Sequence, residues 1–265
     1  MFIAVAAALG ILVWAGWTLL RDRHALSTIS SFRSDTDVTV GVTGSPSSLD
    51  IRTDDDSAIE QALLGNVYET LVSRSQDNTL TAGLARKWSI SDDGLSYTFT
   101  LRDNLTFSNG HALDSTDVVW SLQQAVTQQF VGADALGKLA EVANPDKRTV
   151  TITLSEPDPT LLRTLSGRAG IVYDADASIN YSRQAVGSGP FTVSEFHPGA
   201  SIDLRANDRY WDDSPASSHI TIRYFTDETT MVDALQSGSI DMALPLSADT
   251  AQTLSSDPML IVATG

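Results

Sequence analysis

The segment from residue 84 to residue 122 constrains the fold most, because the spacing of its apolar side chains changes from every second residue to every third or fourth. Its first part alternates apolar and polar residues on both sides of the turn sequence Ser-Asp-Asp-Gly at 91–94. Side chains two residues apart share one face of a strand, and such a turn between alternating runs is typical of a hairpin. The pattern therefore predicts a hairpin whose apolar face is formed by Trp88, Ile90, Leu95, Tyr97, Phe99 and Leu101.

The second part of this segment predicts a capped helix. Asp114 suits the N-cap because its carboxylate can accept a hydrogen bond from a backbone amide of the first turn. Asp117 lies in that first turn and faces the positive end of the helix dipole. The buried stripe of the helix is predicted to consist of Val118, Leu122, Ala125 and Val126.

Upstream and downstream of this segment, strand and helix patterns continue. A strand is predicted at 38–42, and a second hairpin is predicted to turn at Pro145-Asp146. A helix is predicted at 58–71, because apolar residues that recur every four positions share one helix face. These residues are Ile59, Leu63, Val67 and Leu71.

After residue 187 the pattern becomes richer in strands. Strands are predicted at 191–196, 201–206 and 219–225, where β-branched and aromatic residues alternate with polar ones. A helix at 228–237, which ends before a glycine, and a strand that begins at residue 240 follow. Strands and helices therefore mix along the whole chain, which predicts an α/β body.

The N-terminus carries an uncharged apolar run from Met1 to Leu20. A helix of that length spans a hydrocarbon core of about 30 Å, so the run is predicted to be a membrane anchor or an uncleaved signal. Arg21 and Arg23 follow it, and the positive-inside rule taken by itself would place the body in the cytoplasm. Residues 21–36 are polar and rich in Ser and Thr, which is typical of a short tether.

The charge balance excludes one class of partner. The chain has 33 acidic and 17 basic residues and a formal net charge of -16. Nucleic-acid binding requires cationic side chains that replace counterions along the phosphate backbone, so no nucleic-acid partner is predicted. With no cysteine in the sequence, disulfides, thiolate metal sites and thiol nucleophiles are excluded as well.

The sequence gives little sign of catalysis, and neither an enzyme nor a cofactor is predicted. None of the four histidines (His24, His111, His197 and His219) has another histidine three or four residues away. The Ser-containing elbow of α/β-hydrolases is absent. Three consecutive aspartates, residues 54–56, could hold a hard cation, although such a run is more often a solvated turn.

Several segments together resemble one family. They are NVYETL at 66–71, the whole 84–122 segment, GSGPF with the strands and NDRYW that follow it, and DALQSGSIDMAL at 233–244. In this order and spacing they are similar to the extracytoplasmic solute-binding proteins of the dipeptide/oligopeptide class of ABC transporters (family 5). The resemblance runs from about residue 38 to residue 246.

The resemblance implies a periplasmic-binding-protein-like (type II) fold of two lobes that close around a ligand. It divides the chain into an anchor at 1–20, a tether at 21–36, a first part of the first lobe at 37–50 and an inserted subdomain at 51–186. Residues 187–265 then continue the first lobe toward the hinge. On this interpretation the chain is an N-terminal portion, and the second lobe and the C-terminal return to the first lobe are missing from it.

The resemblance also implies a ligand-facing stretch. In peptide-binding members, an extended segment after an S-L-D motif lies along the ligand, and main-chain hydrogen bonds then give affinity. Here that motif is residues 48–50. The ligand-binding residues predicted from it are Asp55, Asp56, Ser57 and Ala58, with Tyr68 packed beneath them.

The hinge between the lobes is predicted at Gly187, Ser188 and Gly189. A phosphate-binding loop is the alternative for these glycines, but that loop requires a following lysine and a helix. Here Pro190 and a strand follow.

The function implied is capture of short peptides at the outer face of the cytoplasmic membrane, followed by delivery to ABC permease subunits. The basic residues after the apolar run oppose that location, and we give the resemblance more weight. Two alternatives stay open: the same fold binding an oligosaccharide or a metal chelate, and a truncated lobe that interacts with a permease or sensor without binding solute.

Overall fold

The computed structural model describes residues 37–75 and 77–263. Among these residues, no helix is long and apolar enough to cross a membrane. The anchor and tether predicted at 1–20 and 21–36 lie outside the described residues.

A five-stranded sheet organises one half of the described chain, with strand order β11-β1-β10-β9-β8. β1 pairs in parallel with both β10 and β11, whereas β10, β9 and β8 pair antiparallel. The predicted strands at 38–42, 191–196, 201–206 and 219–225 are confirmed. The bounds are β1 (Asp37–Thr43), β8 (Phe191–His197), β9 (Ser201–Ala206), β10 (His219–Phe225) and β11 (Met242–Ala243).

A four-stranded antiparallel sheet organises the other half, in the order β4-β5-β7-β6. The hairpin predicted around the turn at 91–94 is confirmed as β4 and β5. A two-stranded sheet of β2 and β3 lies before it in the chain. The bounds are β2 (Val72–Arg74), β3 (Leu80–Ala82), β4 (Ala85–Ile90), β5 (Ser96–Leu101), β6 (Leu139–Asp146) and β7 (Thr149–Leu154).

The described residues also form five α-helices. Two short 3-10 helices, Ala133–Leu136 and Arg168–Gly170, follow α2 and α3. The α-helices are α1 (Ser57–Leu63), α2 (Ser115–Thr127), α3 (Leu161–Thr164), α4 (Glu228–Gln236) and α5 (Ala248–Leu254).

The cap predicted for α2 is confirmed and is more complete than the sequence indicated. The Asp114 carboxylate accepts from the Thr116 amide at 2.8 Å, and the Asp117 carboxylate accepts from the Asp114 amide at 2.9 Å. This reciprocal arrangement is a capping box. It fixes the start of α2, so that Val118 and Leu122 face the four-stranded sheet and are buried.

The helix predicted at 58–71 is wrong beyond Leu63. The chain turns at Leu64–Gly65, where Gly65 adopts a left-handed φ of 81°. Val67 and Leu71 are nevertheless buried, because the extended chain after the turn runs between two cores. Burial, rather than a helical face, explains their spacing.

Three smaller predictions also fail. Ile90 and Val126 are 47% and 44% exposed, because both lie near the ends of their elements, beyond the area that the opposing layer covers. The turn between β6 and β7 lies at 147–148, because a register irregularity accommodates Pro145 within β6.

The buried side chains form two clusters. One lies between the four-stranded sheet and α2, and includes Phe99 and Val150. The other lies between the five-stranded sheet and α1, and includes Val40 and Ile222. The buried apolar residues between 49 and 68 belong to the second cluster, so α1 packs with the five-stranded sheet. The division of the chain at residues 50 and 186 stays a prediction.

The segment 66–72 crosses from one cluster to the other, and we call it the crossing segment. The Asn66 carbonyl accepts from the Phe191 amide at 2.9 Å, and the Val67 carbonyl accepts from the Gly189 amide at 3.0 Å. The Glu69 carbonyl accepts from the Val172 amide at 3.0 Å. Main-chain hydrogen bonds from two distant parts of the chain therefore fix the crossing segment.

We expect Gly189→Ala to lower the free energy of unfolding by about 1–3 kcal/mol, as overpacking in a close-packed interior does. A Cβ at this position would overlap the Asn66 carbonyl oxygen, which has no flexible side chain to move aside. The measurement is the midpoint of chemical denaturation. Gly167→Ala is the matched control, because its Cβ would lie at an ordinary 3.6 Å from the Thr164 carbonyl oxygen. Equal midpoints for the two variants would contradict the account.

Candidate functional site

Three parallel strands end at the same edge of the five-stranded sheet: β1 at Thr43, β10 at Phe225 and β11 at Ala243. The chain leaves β1 toward α1, which packs with Val40 on one face. It leaves β10 toward α4, which packs against Gly41 on the other face. In open α/β sheets, ligands bind outside the carboxyl ends of strands where such connections diverge. We call the residues at this end, 43–58, 224–228 and 243–247, the carboxyl edge.

The loop at 44–56 passes over the carboxyl edge and joins α1 through a tight contact. The Gly44 amide donates to the Phe225 carbonyl at 3.1 Å, and a Cβ on Gly44 would overlap the Ala58 side chain. The Asp56 carboxylate caps α1 by accepting from the Ala58 amide at 2.8 Å. The entry to α1 is therefore set by Gly44 and Asp56.

The Arg168 side chain fixes the main chain of this loop. Its guanidinium donates to the carbonyl oxygens of Asp54 and Asp56, and its Nε lies 3.4 Å from a Glu60 carboxylate oxygen. Its side chain is only 6% exposed, so the charge needs acceptors within the protein. The two loop carbonyls accept hydrogen bonds from it, and Glu60 supplies the opposite charge, although the Arg168 Nε itself has no hydrogen-bond partner among the described residues. The loop is thereby held in place.

Arg52 restrains the earlier part of the same loop. Its guanidinium donates two parallel hydrogen bonds to Asp50, at 2.7 and 2.8 Å. It also lies 3.5 Å from the centre of the Tyr181 ring, in cation–π geometry. The Arg52 carbonyl accepts from the Val131 amide at 2.8 Å. Contacts with two distant parts of the chain, at Val131 and Tyr181, therefore fix residues 50–52.

The structure brings four of the predicted ligand-binding residues together at the carboxyl edge. Asp55 and Ser57 are exposed, Asp56 is half-buried and Ala58 is buried. Residues 54–56 lead into α1, to which Ser57 and Ala58 already belong. Asp55 and Ser57 therefore present their side chains to solvent, while Asp56 and Ala58 join the loop to α1.

Tyr68 lies apart from that edge, in a cluster of aromatic rings. It is fully buried, and its ring centre lies 5.2 Å from that of Tyr173. Burial raises the pKa of the Tyr68 hydroxyl well above its ordinary value. That hydroxyl has no hydrogen-bond partner among the described residues. A ligand-binding role for Tyr68 stays a prediction.

The predicted hinge residues lie against the crossing segment. The Gly187 carbonyl accepts from the Ser108 amide at 2.9 Å, and the Gly189 carbonyl accepts from the Asn207 side-chain amide at 2.8 Å. A Cβ on Gly187 would overlap the Val67 carbonyl oxygen. The close approach of two main chains therefore explains why glycine occupies positions 187 and 189. Their role as a hinge stays a prediction.

Sequence reasoning missed Glu69, which links the crossing segment to two distant segments. Its Oε2 accepts from the Ser188 hydroxyl and from the Trp211 indole N–H, each at 2.8 Å. Burial raises the pKa of this carboxyl to about 7, although the three donors Trp211, Ser188 and Tyr210 oppose that shift. Because the pKa is higher in the folded state, ionisation of Glu69 lowers stability as the pH rises from about 4.5 to about 7. Glu69 and Trp211 both lie in segments that carry the family resemblance.

Sequence reasoning also missed Arg168 and Arg52, because their long-range contacts do not follow from any recognisable sequence motif. Arg168 is more than one hundred residues away from the carbonyls that it binds. The pair Asp50–Arg52 is local, but its stacking on Tyr181 is not. No sequence signal would have found either contact. Together these residues hold an exposed and acidic stretch, which can recognise a ligand.

The chain matches the family model described as "Bacterial extracellular solute-binding proteins, family 5 Middle" over residues 79–265. A nickel-binding periplasmic protein of Escherichia coli K12 is 28% identical over 184 residues, which cover 66% of this chain and 35% of the relative. A dipeptide-binding protein of Bacillus subtilis is 27% identical over 223 residues, which cover 75% of this chain and 41% of the relative.

Among solved structures, the A. tumefaciens R10 binding protein AgaA, in complex with agropinic acid, superposes with a TM-score of 0.77 at 26% identity. The match covers 84% of this chain and 46% of that one. The chain therefore spans less than half the length of each of these relatives. The likeness confirms the predicted type II periplasmic-binding-protein-like fold.

We expect Arg168→Ala to lower the free energy of unfolding by about 1–3 kcal/mol, because it leaves two loop carbonyls without their hydrogen-bond donor. The measurement is urea denaturation followed by far-UV circular dichroism. Arg163→Ala is the control, because Arg163 is an exposed arginine five residues away, and its expected effect is within about 0.5 kcal/mol. Similar losses for the two variants would show that Arg168 does not hold the loop.

Proposed function

The chain belongs to the bacterial extracellular solute-binding proteins of family 5, and we propose that it captures short peptides for an ABC importer. The observation that carries this proposal is the fixed course of residues 54–56, which lead directly into α1 at Ser57. Arg168 holds the Asp54 and Asp56 carbonyls on the inner side, while Asp55 and Ser57 face solvent. An extended segment held in this way can pair with an extended peptide through its main chain, while its outward side chains select the ligand.

The ligands named for the relatives differ in chemical class. The Bacillus subtilis relative is named for dipeptides, the Escherichia coli relative for nickel, and the A. tumefaciens structure contains agropinic acid. We favour peptides because the exposed edge offers main chain and a carboxylate, which suit a zwitterionic ligand that carries an ammonium group. A metal chelate or an oligosaccharide is the alternative for the same edge.

We further propose a location and a partner for the protein. A receptor of this family works outside the cytoplasmic membrane and delivers its solute to permease subunits, and residues 1–20 would hold it at the outer face. A second lobe would close over the carboxyl edge, with residues 187–189 near the point of bending. Ligand binding would then shift the receptor toward its closed form. A truncated lobe that contacts a permease without binding solute is the remaining alternative.

We expect the 265-residue chain to bind at least one member of a defined set of di- and tripeptides, and Asp55→Lys to weaken that binding about tenfold or more. The reason is that Asp55 faces solvent at the carboxyl edge and would contact the ligand directly. Isothermal titration calorimetry measures the dissociation constants. Asp92→Lys is the matched control, an exposed aspartate in the turn between β4 and β5, and it is expected to bind as the unchanged chain does.

Two results would overturn parts of this proposal. Saturable binding of a nickel–histidine complex or an oligosaccharide, with none of any peptide, would replace the ligand class. A chain that melts cooperatively and binds none of these solutes would favour the interaction role.

A further inference from the structure

The hairpin of β8 and β9 carries three metal-ligating side chains on its solvent face. Glu195 and His197 lie two residues apart on β8, and Asp203 lies directly opposite Glu195 on β9. The other face of the hairpin carries Ile202 and Leu204, which are fully buried in the core of the five-stranded sheet. The alternation of a strand therefore places the three ligating residues together in water.

A β-bulge creates this juxtaposition. The register between β8 and β9 shifts between Val193 and Glu195, so that Ser194 is the extra residue. If the register continued regularly from Val193, Ser194 would lie opposite Asp203, and Glu195 would lie opposite Ile202 and face the core. The Ser194 hydroxyl donates to the Asp203 carbonyl at 3.0 Å and helps to close the bulge. Bulges commonly re-aim side chains in this way.

The spacing of the ligand atoms suits a single ion. The His197 Nε2 lies 3.2 Å from a Glu195 carboxylate oxygen. One ligand atom from each of Glu195, His197 and Asp203 can be chosen so that all three lie within 4.8 Å of one another. Two ligands of one zinc ion, each about 2.1 Å from it, lie at most about 4.2 Å apart. Small rotations of the exposed Glu195 and His197 side chains bring the three atoms into that range.

Asp203 is already oriented by a neighbouring strand. The Thr221 hydroxyl on β10 donates to the Asp203 Oδ1 at 2.6 Å, which leaves Oδ2 available as a ligand. Such outer hydrogen bonds fix the direction of ligating carboxylates in metal sites. The Asp203 carboxylate therefore loses little freedom when it binds an ion.

The surrounding charges permit a cation. On β10, the Arg223 guanidinium donates to the Ser239 carbonyl at 3.2 Å, and His219 lies 3.9 Å from an Asp37 carboxylate oxygen. On β9, Arg205 follows Asp203 by two residues on the same face. Arg205 opposes a bound cation, but two carboxylates outweigh it.

We propose that Glu195, His197 and Asp203 form a binding site for a divalent transition-metal ion on the outer face of the β8–β9 hairpin. One imidazole nitrogen with two carboxylate oxygens suits Zn²⁺, Ni²⁺ or Cu²⁺ better than Mg²⁺ or Ca²⁺, which prefer oxygen ligands alone. Three protein ligands leave further positions for water. The site uses none of the residues assigned to peptide capture, so this proposal is independent of the proposed function.

The test is calorimetric titration of the metal-free 265-residue chain with Zn²⁺. We expect saturable one-to-one binding that His197→Ala and Asp203→Asn each weaken about tenfold or more. His219→Ala is the matched control, because it removes an exposed histidine of the neighbouring strand, and it should bind as the unchanged chain does. Thermal melts without metal should be equal for all four proteins, since the changed side chains are not part of the core.

A second measurement identifies the ligand directly. Substoichiometric Ni²⁺ should broaden one histidine ring signal in the proton NMR spectrum before the others, and that signal should be absent from His197→Ala. The proposal is overturned if the unchanged chain shows no saturable Zn²⁺ binding. It is equally overturned if His197→Ala binds Zn²⁺ as tightly as the unchanged chain, or if Ni²⁺ broadens all histidine signals alike.

Discussion

The crossing segment is the constraint on which the rest of the described structure depends. Its main chain accepts hydrogen bonds from the amides of Val172, Gly189 and Phe191, and its Glu69 side chain accepts from Ser188 and Trp211. These partners lie about one hundred residues or more further along the chain, so the contacts close large loops. Within this segment, Val67 belongs to one hydrophobic cluster and Leu71 belongs to the other. Because glycine is the residue at 187 and 189, the two main chains can approach closely enough to form these bonds.

The carboxyl edge depends on a second set of distant contacts. Arg168 follows α3 in the chain, and yet it holds the loop that joins β1 to α1. A buried guanidinium that donates to main-chain carbonyls fixes the backbone rather than side chains. Asp55 and Ser57 are therefore free to face solvent on a stretch whose course is already set. A binding stretch that is ordered before the ligand arrives loses less conformational freedom on binding.

Local patterns predicted local structure well. Alternation identified β5 and the strands of the five-stranded sheet, and the Asp114–Asp117 pair identified the start of α2. The same reasoning failed after Leu63, because buried residues of a chain that runs from one core to the other can have the spacing of a helix face. The contacts of Arg168 and Glu69 were beyond local patterns, since they join residues far apart in sequence. The group of Glu195, His197 and Asp203 was missed because helical spacing of ligands was sought, whereas these residues have strand spacing and lie across a hairpin.

Hydrogen exchange of individual backbone amides tests the role of the crossing segment most directly. The amides of Gly189, Phe191 and Val172 donate to the crossing segment. If that segment holds the two clusters together, these three amides exchange as slowly as those at the centre of the β1–β10 ladder, which open only with the whole fold. Exchange as fast as that of the turn amide of Gly94 would contradict the account. The two clusters would then be joined by other contacts.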